Sequence, residues 1–274
     1  MSEEMPYIPY GEEGEWKKRF EMTIPILLLI LVLVIVAAKM NWLVGVPFIG
    51  DLFKGPNIDI AVIGNDQNLV KIIDIDVRKD LPVNYMIFKK EQLNHSFLCG
   101  VFDKYDMLIL TEGQDGDTIE LDQFILDECL KNFVASGKPA IVIKRAGTKV
   151  TGDNASSGWT MMGFVPAQCK TSRLCPDVDA TSLSYTRISM YSKDLNNPIT
   201  RAYDIEPLNF QGPGQIEFVS VIPEGGKPLL QAEILPGPHI QDALIQSNSG
   251  KVIYFAFHPS LYSPLLYNSI KNLG

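Results

Sequence analysis

The sequence predicts an α/β protein: a mostly parallel sheet with helices on both faces and added antiparallel strands, preceded by one transmembrane helix. Three observations carry this. Short apolar runs at residues 58–63, 105–110 and 140–143 read as strands buried on both faces. Segments of helical spacing separate them, an alternation that builds a parallel sheet. Ahead of all of them, residues 23–38 carry no charge and almost nothing polar.

That first run decides the compartment in which the rest works. A spanning helix needs about 20 residues to cross roughly 30 Å of hydrocarbon. Residues 23–38 reach this length if Lys39 snorkels and residues 40–46 continue the span, with Trp42 at the interface. Pro25 falls in the first turn, where its missing N–H costs little. Val36, Ala37 and Ala38 would also suit a cleaved signal peptide, but the run is longer than such segments need, which favours an uncleaved anchor. The division is then a cytoplasmic tail (1–21), a transmembrane helix meeting membrane lipid (22–46), a linker or stalk (47–57) and an α/β domain (58–274). Lys17, Lys18 and Arg19 precede the span and outnumber Lys39 and Lys54 after it. The protein is therefore expected in the cell membrane as a single-pass chain, N-terminus cytoplasmic and C-terminal domain extracytoplasmic. In the stalk, Phe48, Ile49, Leu52 and Phe53 are placed to touch the membrane surface.

The chain has 274 residues and a formal net charge of -8. No Lys/Arg cluster interleaved with aromatics follows the span, so no nucleic-acid partner is expected. Four cysteines are too few for a disulfide scaffold and lack metal-ligand spacing. No phosphate-binding glycine motif is present, and no cofactor or metal is expected.

Within the domain, the strand at 58–63 ends in Gly64. A helix at 69–77 and strands at 83–89 and 105–110 follow. The clearest amphipathic helix is 121–136, with Leu121, Phe124, Ile125, Leu130, Phe133 and Val134 on one face and Gly137 as its stop. Pro139 leads into the strand at 140–143. Beyond it the pattern changes to strands at 182–192, 215–222, 229–235, 241–246 and 251–257, with a turn at Glu224, Gly225 and Gly226, and a closing helix at 261–272. In such sheets the ligand crevice lies beyond the carboxyl ends of the parallel strands. The loops at 64–67, 111–117 and 144–153 therefore share one rim.

Three pieces fall in the order found in class I glutamine amidotransferase-like domains: the strand running into Thr111, Glu112 and Gly113; the strand running into Lys144, Arg145, Ala146 and Gly147; and the late strand running into Phe257, His258, Pro259 and Ser260. Over residues 57–273 the chain resembles that family, which implies a flavodoxin-like sheet. The family sets a cysteine nucleophile on a sharp elbow and a histidine in a Phe-His-Pro-Glu segment. By this resemblance the nucleophile position falls on Arg145, with Gly147 as the glycine after it. The histidine is His258, and Ser260 stands at the glutamate position. Residues 148–158 form a polar loop where the family has a helix. An arginine cannot form an acyl intermediate. The resemblance therefore implies a domain without amidotransferase catalysis, of the kind that serves as a sugar- or protein-binding module, including trehalose-utilisation-like members.

Glu112, Arg145, Asp153 and His258 are the candidate ligand-binding residues at the rim, with Asp115 and Asp117 beside them. The bland alternatives are that the rim carboxylates only solvate loops and that His258 is a hydrogen-bonded packing residue. Cys169 and Cys175 bracket five residues, and in an outward-facing domain they are expected to form a disulfide. Cys99 and Cys129 read as core residues whose mutual pairing has no support. Asn94 and Asn154 each begin a glycosylation sequon. The residues 159–164 read as core. The expected function is a single-pass, noncatalytic domain that binds a partner protein or small ligand outside the cytoplasm. The alternatives are a membrane-anchored hydrolase using His258 with Asp153 or Glu112, and a structural subunit of a membrane assembly.

Overall fold

The computed structural model describes residues 57–94, 96–113, 119–152, 157–170, 186–194, 196–201, 208–212, 218–235 and 239–274. The expected tail, span and stalk lie outside the described residues up to residue 56. Among the described residues no helix is long and apolar enough to cross a membrane.

The chain begins its sheet with β1 (Ile58–Ile63), whose last four residues are buried. Asp66 then caps α1 (Gln67–Ile72), its carboxylate accepting the N–H groups of Asn68 and Leu69. A cap of this kind satisfies donors that a helix start leaves open. The helix runs on through a π-helical stretch, Ile73–Val77, and burial of Leu69, Ile72, Ile73 and Val77 seats it on the sheet. β2 (Val83–Phe88) and β3 (Met107–Leu110) follow on opposite sides of β1, both parallel to it. A π-helical stretch, Ile125–Leu130, and α2 (Lys131–Ala135) lead to β4 (Ala140–Ile143), parallel to β3.

After β4 come α3 (Gly158–Met162), β5 (Ala167–Cys169), β6 (Thr186–Ser192), β7 (Leu208–Gly212), β8 (Val221–Pro223), β9 (Gly226–Leu235) and β10 (His239–Ser247). β11 (Val252–Phe255) then returns to the parallel half beside β4, and α4 (Ser263–Leu273) closes the chain. The large sheet has the order β2-β1-β3-β4-β11-β10-β9-β6-β7. Its first five strands are parallel and the pairings from β11 to β7 are antiparallel. The parallel half is a mixed α/β sheet with the strand order of the flavodoxin-like class. β3, β4 and β11 are buried along their whole length, which is why they read as unbroken apolar runs.

Right-handed crossovers require the connection from β1 to β2 and the connections onward from β2 to β4 to lie on opposite faces. Accordingly α4 packs on the Ile73–Val77 stretch, while the 3₁₀ segment Cys99–Lys104 and α3 pack on the Ile125–Leu130 stretch.

Several expectations change. The helix expected at 121–136 starts later, because Leu121 forms a bridge with Val150 instead, and Gly137 ends it at φ 90°. Of the strand expected at 215–222, residues 215–217 lie outside the described residues, and the described part holds β8, paired with β5 in a separate two-stranded sheet. Trp159 is buried: its Nε1–H donates to the Ala146 carbonyl at 2.8 Å and its ring lies edge-on to Tyr254. Cys99 and Cys129 are joined in a disulfide, contrary to the sequence reading, because the two helical segments that carry them pack together and bring their Cα atoms to 4.8 Å. Cys169 is also disulfide-bonded, and Cys175 lies outside the described residues.

Candidate functional site

The chain leaves β1 towards β2 and leaves β2 back across to β3, so the loops after β1 and β3 diverge at one point of the sheet edge. Ligands of open α/β sheets bind at such a point. Gly64 ends β1 there at φ 137°, and a Cβ on it would lie 2.6 Å from Thr111 Cγ2 and 2.7 Å from the Thr111 carbonyl. Only glycine lets the two loops meet this closely.

The contact brings Asp66 against Thr111, whose hydroxyl donates to Asp66 Oδ2 at 2.8 Å. Asp66 Oδ1 is occupied by the amides of Asn68 and Leu69, each at 3.0 Å. Oδ2 also meets His258 Nε2 at 2.7 Å. On the other side of the ring, Nδ1 receives the Ser260 amide at 3.1 Å and lies 2.7 Å from Ser260 Oγ. A backbone N–H can only donate, so Nδ1 holds its lone pair and the ring proton sits on Nε2, donated to Asp66. Burial pushes the Asp66 carboxyl up, but the hydrogen bond and electrostatic attraction of His258, the Leu69 amide and Thr111 outweigh it and hold the group below its ordinary value.

A second cluster forms where β3 and β4 end. Glu112 Oε2 lies 3.1 Å from Lys144 Nζ, and both side chains are only 5% exposed. Glu112 Oε1 accepts from Arg145 Nε at 3.0 Å and from the Arg145 amide at 3.1 Å. Lys144 has φ 52° and is the one described residue other than glycine with a positive value. Strain of this kind marks a sharp change of chain direction, here where β4 stops. This sharp turn, or elbow, is at Lys144, one position before the Arg145 to which the resemblance points. The chain then folds through a tight turn, with the Ala146 amide on the Ile143 carbonyl and the Thr148 amide on the Arg145 carbonyl.

Glu112 and Arg145 are therefore brought together, as two members of one site. Among the described residues, His258 does not take Glu112 as its carboxylate partner. Its carboxylate partner is Asp66, while Glu112 is taken up by Lys144 and Arg145. Asp115, Asp117 and Asp153 lie outside the described residues, as does Asn154; Asn94 is exposed. His258 shares the rim with the elbow, because Phe255 pairs with Ile143 and its carbonyl accepts from the Lys144 amide at 2.7 Å. Sequence reasoning missed Asp66 and Lys144. An aspartate directly before a helical run is an N-cap signal and could have marked Asp66. Among the described residues no group of three or more His, Cys, Asp and Glu side chains could hold a metal ion.

No protein-family model matches the chain, and no curated protein matches it either. Among solved structures, the chain is similar to a cytoplasmic protein of Salmonella typhimurium at 10% identity and TM-score 0.50, covering 78% of this chain and 98% of that one. It is also similar to PurLQS from Thermotoga maritima (11% identity, TM-score 0.47, 79% of this chain and 99% of that one). A protein assigned as a GMP synthase component in Thermoplasma acidophilum gives 11% identity and TM-score 0.45, covering 79% of this chain and 94% of that one. The likeness to the Salmonella protein shows a shared fold and nothing finer.

Proposed function

We propose that the chain is a single-pass, membrane-anchored domain of glutamine amidotransferase-like fold that has lost amidotransferase chemistry, in the manner of the trehalose-utilisation-like members. It binds a small polar ligand or a partner protein at the crevice formed by Asp66, Glu112, Arg145 and His258, on the extracytoplasmic side of the membrane. The observation that carries the reading is the Lys144–Glu112 pair at the elbow. A buried lysine whose amine lies against the Glu112 carboxylate offers no thiol at that position to form the amidotransferase acyl intermediate. The Cys99–Cys129 disulfide supports the placement outside, since such bonds persist in oxidising compartments. The proposed Cys169–Cys175 bridge belongs to the same picture.

Topology and binding are tested separately. In alkaline carbonate the full chain is expected to stay with the membrane pellet, and protease added to intact cells is expected to digest residues 58–274. Release into the supernatant overturns the anchor, and protection of the domain overturns the orientation. For the crevice, polar ligands are screened by thermal shift on the detergent-purified chain. A shift abolished in both Arg145→Ala and His258→Ala supports the site, and a shift that both variants keep places binding elsewhere.

A further inference from the structure

We propose that Ser260 is a hydrolytic nucleophile, activated by His258 and Asp66 for acyl transfer from an ester bound in the crevice. The inference goes beyond the binding reading and does not depend on the membrane anchor.

Three features of the cluster carry it. First, the Ser260 amide fixes the imidazole with its lone pair on Nδ1, and Ser260 Oγ lies 2.7 Å from that same nitrogen. The hydroxyl and the amide of Ser260 thus converge on the one lone pair of Nδ1, the hydroxyl at the shorter distance, and the ring is in the tautomer able to take the hydroxyl proton. Second, the opposite nitrogen faces Asp66 Oδ2 at 2.7 Å, and Asp66 is itself held by Thr111 and by the amides of Asn68 and Leu69. A carboxylate oriented in this way stabilises the imidazolium formed when the serine proton moves. Third, Ser260 is exposed while Asp66 is buried, so the hydroxyl stands at the open end of the chain of contacts and the acid at its closed end. A hydroxyl, an imidazole and a carboxylate in this order are recognised by geometry and role rather than by their order in the sequence. Here the nucleophile follows the last parallel strand, and the elbow, filled by Lys144, takes no part.

The reaction balances without a cofactor. Ser260 Oγ attacks the ester carbonyl carbon, and its proton passes to His258 Nδ1. The tetrahedral intermediate expels the alcohol, which takes that proton from Nδ1. Water, deprotonated by Nδ1 in turn, then attacks the acyl-Ser260 carbonyl. The acid leaves and the proton returns to Ser260 Oγ, so that one ester and one water give one acid and one alcohol.

The test uses the detergent-purified full chain and a fluorophosphonate probe, in which a serine oxygen displaces fluoride from phosphorus. Mass spectrometry is expected to locate the adduct on Ser260, and Ser260→Ala to remove it. General-base assistance contributes about 10²–10⁴-fold, so His258→Gln is expected to slow labelling by about 10²-fold or more. His258 is partly exposed, so this variant is expected to fold, which circular dichroism checks. Asp66→Asn keeps the size of the cap and is expected to slow labelling by about 10-fold or more. No adduct on Ser260 in the folded wild-type chain, or an unchanged rate in folded His258→Gln, overturns the proposal. Either result leaves ligand binding in the crevice standing.

Discussion

Asp66 and His258 are 192 positions apart in the chain, and their Oδ2 and Nε2 atoms meet at 2.7 Å. The contact joins the first loop of the parallel half to the turn after its last strand, across the ends of β3 and β4. One carboxylate thus caps a helix, anchors Thr111 and orients a histidine.

Replacing Asp66 with alanine removes all three functions at once. The lost cap costs about 1 kcal/mol, and the unpaired Thr111 and His258 groups add about 1–2 kcal/mol more. Chemical denaturation is expected to show a loss of about 2–3 kcal/mol in total. The same group sets an acid limit. Its carboxyl is held below its ordinary value in the folded chain, so it contributes stability that is present above that value and lost as the pH falls through the lowered one. Wild-type stability should therefore fall below about pH 4, and Asp66→Asn should lack this component.

Glu112 faces two cations from a buried position. Glu112→Gln leaves Lys144 and Arg145 without their shared counter-charge, and breaking a buried pair on one side costs about 3–5 kcal/mol. A lower midpoint in urea of that size is expected. A variant as stable as wild type would show that the cluster contributes nothing to the fold.

At Gly64 the constraint is steric as well as conformational. Alanine there would push its Cβ into the Thr111 backbone and side chain at φ 137°. Gly64→Ala is expected to cost at least about 2 kcal/mol. It should also loosen the Asp66–His258 contact, which the His258 ring resonances would report by NMR.

The Cys99–Cys129 bond closes a loop with a sequence separation of 30. On the loop-entropy account, removing it by a double serine substitution costs about 3–4 kcal/mol. Free-thiol counting under denaturing conditions should find neither residue reactive in protein isolated from its native compartment.

How much of this is legible in the sequence follows from burial. β3, β4 and β11 are covered on both faces, so their residues can only be apolar, and short runs suffice to mark them. The expected span rests on the same uniformity, and it lies outside the described residues. Asp66 escapes such a reading because a single capping residue has no periodicity. The sharp turn lies one residue before the position that the resemblance assigns, because the strain sits where β4 stops, at Lys144. The Cys99–Cys129 pairing depends on two helical segments packing on one face of the sheet, a relation absent from local sequence. Leu121 has the spacing of a helical residue but is spent on a bridge to Val150.

Under the proposed reading, the turn at Lys144 supports no amidotransferase chemistry. Ammonia release from glutamine by the detergent-purified full chain tests it most directly. The account predicts release indistinguishable from buffer, in wild type and in Lys144→Ala alike. Sustained release that copurifies with the chain and is lost in Lys144→Ala would contradict it.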